Sequence, residues 1–111
     1  MAAAKHNLIV SRGEDFSFTL TVQDSGGSPV NITGDTFTAE IRRNGGKPLV
    51  ASFSCEITEA ANGVLVATLP QSETLKLDGN VNYKWDMFRT DTTTTRLIYG
   101  DVKVENNITD I

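Results

Sequence analysis

The chain has 111 residues, 39% of them aliphatic, aromatic or Cys and 22% charged, with 10 Lys and Arg against 14 Asp and Glu for a formal charge of -4. That length bounds one domain with one core, hiding roughly two-thirds of its unfolded surface, and that charge offers phosphate no basic footprint, which argues against a nucleic-acid partner. The one cysteine, Cys55, excludes an intrachain disulfide and a multi-thiolate zinc site. No stretch approaches the about 20 apolar residues of a membrane span, so no membrane partner is expected. Residues Met1 to Lys5 lack the apolar run of a secretory leader, so synthesis in a reducing cytosol is the expectation.

Leu8, Ile9 and Val10 form a first short apolar run, broken by Arg12-Gly13-Glu14. From Asp15 to Gln23 the pattern has a strict period of two: Phe16, Phe18, Leu20 and Val22 face one way and Ser17, Thr19 and Thr21 the other. This is a half-buried strand. Asp24 to Pro29 is a Gly- and Pro-bearing loop, and Val30 and Ile32 give at most a stub of strand. Thr36 to Arg43 resumes the alternation with Phe37, Ala39 and Ile41 inward, and Asn44-Gly45-Gly46 reads as a hairpin turn. Leu49, Ala51, Phe53, Cys55 and Ile57 predict one strand of about nine residues, near the upper end of the usual range.

Asn62-Gly63 is a second turn, followed by a short strand from Val64 to Leu69 that Pro70 stops. Ser72 to Leu77 lacks the period of two and suits a single helical or 3₁₀ turn, with Leu75 or Leu77 plugging one end of the core. Val81, Tyr83, Trp85 and Met87 share one face of a central strand. Thr90 to Thr95 is a polar hairpin tip. Leu97, Tyr99, Val102 and Val104 make a last strand whose register shifts around Gly100, a candidate bulge. Short strands between turns at intervals of roughly 8 to 12 residues predict an all-β, immunoglobulin-like antiparallel β-sandwich of seven to eight strands. Residues 1–111 are one such domain, with 1–6 and 106–111 as flexible arms.

Side chains that carry chemistry are sparse. His6, the one histidine, has no second imidazole or thiolate to share a metal, and it sits beside the N-terminus, away from any serine it could activate. Cys55 lies on the apolar side of its strand, as a packing residue does. Asp24, Asp35, Asp78, Asp86, Asp91 and Asp101 never form the dense acidic loop of a calcium site, and Glu14 and Asp15 fall on opposite strand faces. No catalytic residue, cofactor or metal is therefore expected. Asn31-Ile32-Thr33 and Asn107-Ile108-Thr109 match a glycosylation acceptor that has no meaning without secretion, and Arg12-Gly13-Glu14 only approximates an integrin-type tripeptide. Tyr83 and Trp85 share the parity of Val81 and Met87, which is core. Phe88 has the opposite parity and is a candidate exposed contact, as are Ile108 and Ile111 in the tail.

The order of elements carries a resemblance. Arg12-Gly13-Glu14 before the long strand, the step Ile32-Thr33-Gly34 before the strand led by Phe37, the leucine-bearing turn at Ser72 to Leu77, Tyr83-Lys84-Trp85-Asp86, and Gly100-Asp101-Val102-Lys103-Val104 follow one another over nearly the whole chain. This order resembles the small immunoglobulin-like domains of tailed-phage virion proteins, including the N-terminal domain of baseplate upper proteins. The resemblance implies a nonenzymatic virion structural protein: a head decoration, neck, or tail and baseplate accessory protein that binds capsid, neck or tail proteins in multiple copies. A homo-oligomer or symmetric array on the particle is implied, with residence in the host cytoplasm during assembly and in the virion afterwards. No coiled coil or receptor-binding portion follows the domain in this sequence, so the expectation is an adaptor or decoration and not a receptor binder. The alternative is a carbohydrate-binding module for a host surface glycan, with Phe88 or Trp85 as its aromatic contact.

Overall fold

The computed structural model describes residues 4–43 and 48–109. The Asn44-Gly45-Gly46 turn and Ile111 lie outside the described residues. The strands among the described residues are β1 (Ala4–Lys5), β2 (Leu8–Ser11), β3 (Phe16–Thr21), β4 (Thr36–Arg43), β5 (Leu49–Ser52), β6 (Ser54–Glu59), β7 (Val64–Leu69), β8 (Tyr83–Thr90) and β9 (Thr94–Glu105), with a 3₁₀ turn at Ala60–Asn62 and one α-helical turn, α1 (Gln71–Thr74). A six-stranded sheet has β1 and β2 against β9, then β8, β4 and β5, and a three-stranded sheet has the order β3-β7-β6. All pairings are antiparallel except those of β1 and β2, which run parallel to β9.

The two sheets face each other across the side chains that the period-two pattern assigns inward. Ala39, Ile41, Tyr83, Trp85, Met87, Val102 and Val104 from the large sheet meet Leu65, Ala67 and Leu69 from the small one, with the half-buried Phe16, Phe18 and Leu20 packed against them. Leu77 closes one end of the core, as expected of it or Leu75. Phe18 and Trp85 bridge the sheets with an edge-to-face contact at 5.5 Å between ring centroids, and Phe53 packs on both rings. Tyr83, at the start of β8, accepts through its Oη the N–H of Asp78, five residues upstream, at 2.9 Å. That is the tyrosine corner of immunoglobulin sandwiches, in which a cysteine of the inter-sheet disulfide follows two residues later. Trp85 stands at that place here, so an aromatic pair links the sheets where a disulfide does elsewhere.

Four expectations need correction. The nine-residue strand from Leu49 to Ile57 is two strands: β5 pairs with β4, Phe53 still donates its N–H to Ala39 O at 3.0 Å, and β6 then joins β7 in the other sheet. The alternation runs unbroken through the crossing because both sheets share one core. Leu49, expected inward, is 47% exposed. The segment 1–6, expected as an arm, is a strand where it is described: Ala4 and Lys5 pair with Ile98 and Tyr99, and His6 donates its N–H to Tyr99 O. The split strand and β1 bring the strand count to nine among the described residues.

The bulge expected at Gly100 is elsewhere. Gly100 pairs in register with Trp85, and the register breaks between Met87 and Phe88, which face Ile98 and Arg96 and leave Leu97 as the extra residue. The inward side chains of β9 are therefore Ile98, Val102 and Val104, with the half-buried Leu97 also packed against the core, while Tyr99 lies on the outer face. Glycine at position 100 answers a different demand, because a Cβ there would overlap the carbonyl oxygen of His6.

Candidate functional site

The outer face of the large sheet gathers the side chains best suited to binding. Cross-strand register sets Arg42, Lys84 and Asp101 in one row, Glu40, Asp86 and Tyr99 in the next, and Thr38, Phe88 and Arg96 in a third. Arg96 and Tyr99 are three residues apart and would face opposite sides of a regular strand. The extra residue at Leu97 turns both outward, and the Arg96 guanidinium sits 4.5 Å above the Tyr99 ring. Such a pair contributes about 0.5–1 kcal/mol at an exposed site. Nothing in the spacing of β9 announces it, because the signal is a bulge and bulges carry no fixed sequence.

A groove of about 350 Å³ runs over this face, lined by Lys5, Arg42, Lys84 and Arg96 and by the carboxylates of Glu40, Asp86 and Asp101 around Tyr99. Four cations against three carboxylates make it locally positive on a chain of charge -4. Arg42 pairs with Glu40 at 2.9 Å, and Lys84 pairs with Asp101 across the β8–β9 ladder. The Lys84 ammonium holds the Asp101 carboxyl below its usual range. Asp86 moves the other way: burial pushes its pKa up and Glu40 adds to this, against the pull of Arg96 and Arg42.

Phe88, the contact residue expected from parity, lies on this face and is 37% exposed. Ile108, the second expected contact, is fully exposed beyond β9. The structure does not bring the two together: Phe88 pairs beside the hairpin tip at Arg96, whereas Ile108 follows Glu105 at the other end of β9, roughly 30 Å of strand away. The segment before Ile108 is tied down, since Arg12 donates to Asn107 Oδ1 at 2.6 Å and Gly79 N–H donates to Asn106 Oδ1. Ile111, the third, lies outside the described residues.

Tyr83 and Trp85 are in the core, at 3% and 2% exposure, so they form no aromatic platform. Burial pushes the Cys55 thiol up, consistent with a packing residue on the inner side of β6. Asp24 and Asp91 organise their own turns: Asp24 Oδ1 accepts the N–H of Gly26 and Ser28, and Asp91 Oδ1 accepts that of Thr93. Among the described residues no group of three or more His, Cys, Asp and Glu side chains is placed to hold a metal ion.

Two sheets, a tyrosine corner and a strand that changes sheets after Phe53 define an immunoglobulin-like β-sandwich. A family model described as an LtfC-like, beta-sandwich domain matches residues 2–105, and the chain belongs to that family. No curated protein matches it. Among solved structures it is similar to titin M4, with 15% identity and a TM-score of 0.47 over 93% of this chain and 92% of that one. It is also similar to the extracellular domain of the voltage-gated sodium channel beta4 subunit, with 7% identity and a TM-score of 0.47 over 97% of each chain.

Proposed function

We propose that the protein is a nonenzymatic virion structural protein of a tailed phage, a head decoration, neck or tail accessory protein. In this reading it docks in multiple copies on capsid, neck or tail proteins through the outer face of its large sheet. The observation that carries the docking surface is the Arg96–Tyr99 stack beside the exposed Phe88. Arg and Tyr are the residues most often found to dominate protein interfaces, and a central aromatic ringed by charged pairs is the usual anatomy of one. The virion setting is supported by the order of elements that resembles phage immunoglobulin-like domains.

The test is incorporation into particles. Phe88→Asp, and separately Arg96→Ala with Tyr99→Ala, should lower the copies per purified particle at least tenfold while circular dichroism and the unfolding midpoint stay near those of the parent. Unchanged incorporation of both variants would remove this face from the docking reading. The alternative of a glycan-binding module has less support, because Arg96 already covers a face of the Tyr99 ring, the aromatic best placed in the groove. Glycan binding that disappears in Phe88→Ala would restore it.

A further inference from the structure

We infer that the outer edge of β3 is a strand-pairing interface with a second copy of this chain, in which two β3 strands run antiparallel about a two-fold axis at Thr19. The inference stands on the small sheet alone and does not depend on the virion reading. β3 pairs with β7 on one side only and is an edge of the three-stranded sheet. Val22 N–H donates to Gly63 O at 2.8 Å, which fixes the alternation of the ladder. Residues of the same parity, Phe16, Phe18 and Leu20, turn their N–H and C=O groups toward β7, and those of Ser17, Thr19 and Thr21 therefore point to the open edge. No hydrogen bond among the described residues occupies these groups outside the β3–β7 ladder.

The other edges carry devices that blunt pairing. On β5 the N–H of Ser52 is taken by Glu73 Oε1 at 2.9 Å, from α1. On β6 the edge bears Glu56 and Glu59 and a register break between Ile57 and Glu59. The short β2 lies between Lys5 and Arg12 in sequence. Edge strands of soluble proteins are ordinarily protected by charge, proline, bulges or cover, and among the described residues β3 shows none of these over Phe16–Thr21.

Its side chains also point to the occupant. Ser17, Thr19 and Thr21 are exposed, uncharged and hydroxyl-bearing. In the two-fold register Thr19 faces Thr19 and Ser17 faces Thr21, which are favourable cross-strand pairs, and Phe18 comes opposite Leu20 over the two cores. The three residues with outward backbone groups all meet their counterparts, giving roughly six main-chain hydrogen bonds. An uncharged edge is also where two molecules of charge -4 can approach with least repulsion. The two three-stranded sheets then become one continuous sheet.

Sedimentation equilibrium of the full chain tests this. The parent should show a concentration-dependent dimer that strengthens with added salt. Thr19→Lys places two ammonium groups face to face and should weaken dimerisation at least tenfold, whereas Thr19→Val should retain it. Ser17→Lys with Thr21→Lys should also abolish the dimer, and Ser17→Glu with Thr21→Lys should keep it, because opposite charges then meet across the axis. Glu56→Lys, on the far edge, should leave it unchanged. A parent that stays monomeric up to hundreds of micromolar overturns the inference. So does a dimer indifferent to Thr19→Lys, and so does a monomer whose Thr19→Lys variant loses only particle binding, which assigns the edge to a different partner.

Discussion

The indole Nε1 of Trp85 donates to the main-chain carbonyl of His6 at 2.8 Å, and it does so across Gly100, the cross-strand partner of Trp85. One contact thus ties the N-terminal strand to the aromatic centre that joins the sheets. It requires position 100 to be bare: an added Cβ would lie within 2.6 Å of the His6 carbonyl carbon, a backbone atom with no side-chain freedom to yield. Gly100→Ala should therefore push β1 off β9 and lose the indole hydrogen bond, at a cost of about 2–4 kcal/mol. Urea unfolding monitored by Trp85 fluorescence measures this. Gly79→Ala is the milder comparison, because the atoms nearest a Cβ there belong to the exposed side chain of Asn106, which can turn away at the expense of the one hydrogen bond it accepts from Gly79 N–H. Equal midpoints for the two variants would contradict the account.

Thr74 is fully buried, and its hydroxyl is what holds the Arg12–Asp15 turn against α1. Its Oγ1 accepts the N–H of Gly13 at 3.1 Å and lies 3.0 Å from Glu14 O, to which it can donate. Thr74→Val keeps the shape and removes both bonds, leaving the Gly13 N–H and the Glu14 C=O without their Thr74 partner. The expected loss is about 1–3 kcal/mol. Thr74→Ser keeps the hydroxyl and should recover most of it, so a serine variant as unstable as the valine one would assign the effect to the missing methyl instead.

The parts of this fold legible in the sequence are those where one side chain in two must be apolar. β4 runs from Thr36 to Arg43 as its pattern predicts, with Ala39 and Ile41 buried, and the inward face of β8 is the expected Tyr83, Trp85 and Met87. What periodicity cannot carry is which sheet a strand belongs to, so the crossing after Phe53 was invisible. It is equally silent on a strand as short as Ala4–Lys5, whose two residues are both exposed and whose order comes from pairing with β9. For the candidate site, Phe88 was legible from its parity alone, but the Arg96–Tyr99 stack was not. Its cause is a single extra residue at Leu97, and the glycine that suggested a bulge three residues on serves the His6 crossing.

Cys55 sits half-buried on the inner side of β6, and burial raises its pKa, so the thiolate that reacts with alkylating agents is scarce in the folded state. Iodoacetamide at pH 8 should label native protein at least tenfold more slowly than protein in denaturing urea. Labelling should also accelerate in Gly100→Ala if reaction proceeds through opening of the sandwich. Native labelling as fast as that of a free thiol would place Cys55 at the surface and contradict the register of β6 against β7.

Asp86 and Glu73 should leave opposite marks on the pH dependence of stability. The Asp86 pKa is raised by burial, so between the unfolded value, about 3.9, and the higher folded one the native state holds the extra proton, and stability falls as pH rises through that window. Asp86→Asn removes this term, so the variant should gain on the parent between acid and neutral pH. The Glu73 pKa is lowered, first by its hydrogen bond with Lys76 and then by the Ser52 N–H, so its contribution is present above the unfolded value near 4.3 and is lost as pH falls through the folded one. Glu73→Gln should accordingly show its deficit at neutral pH and close on the parent in acid. Urea midpoints from pH 3 to pH 7 for the three proteins decide the matter. Curves for the two variants that shift in the same direction relative to the parent would mean that one of these carboxylates does not sit in the surroundings described, and the Asp86 result bears directly on the groove beside Tyr99.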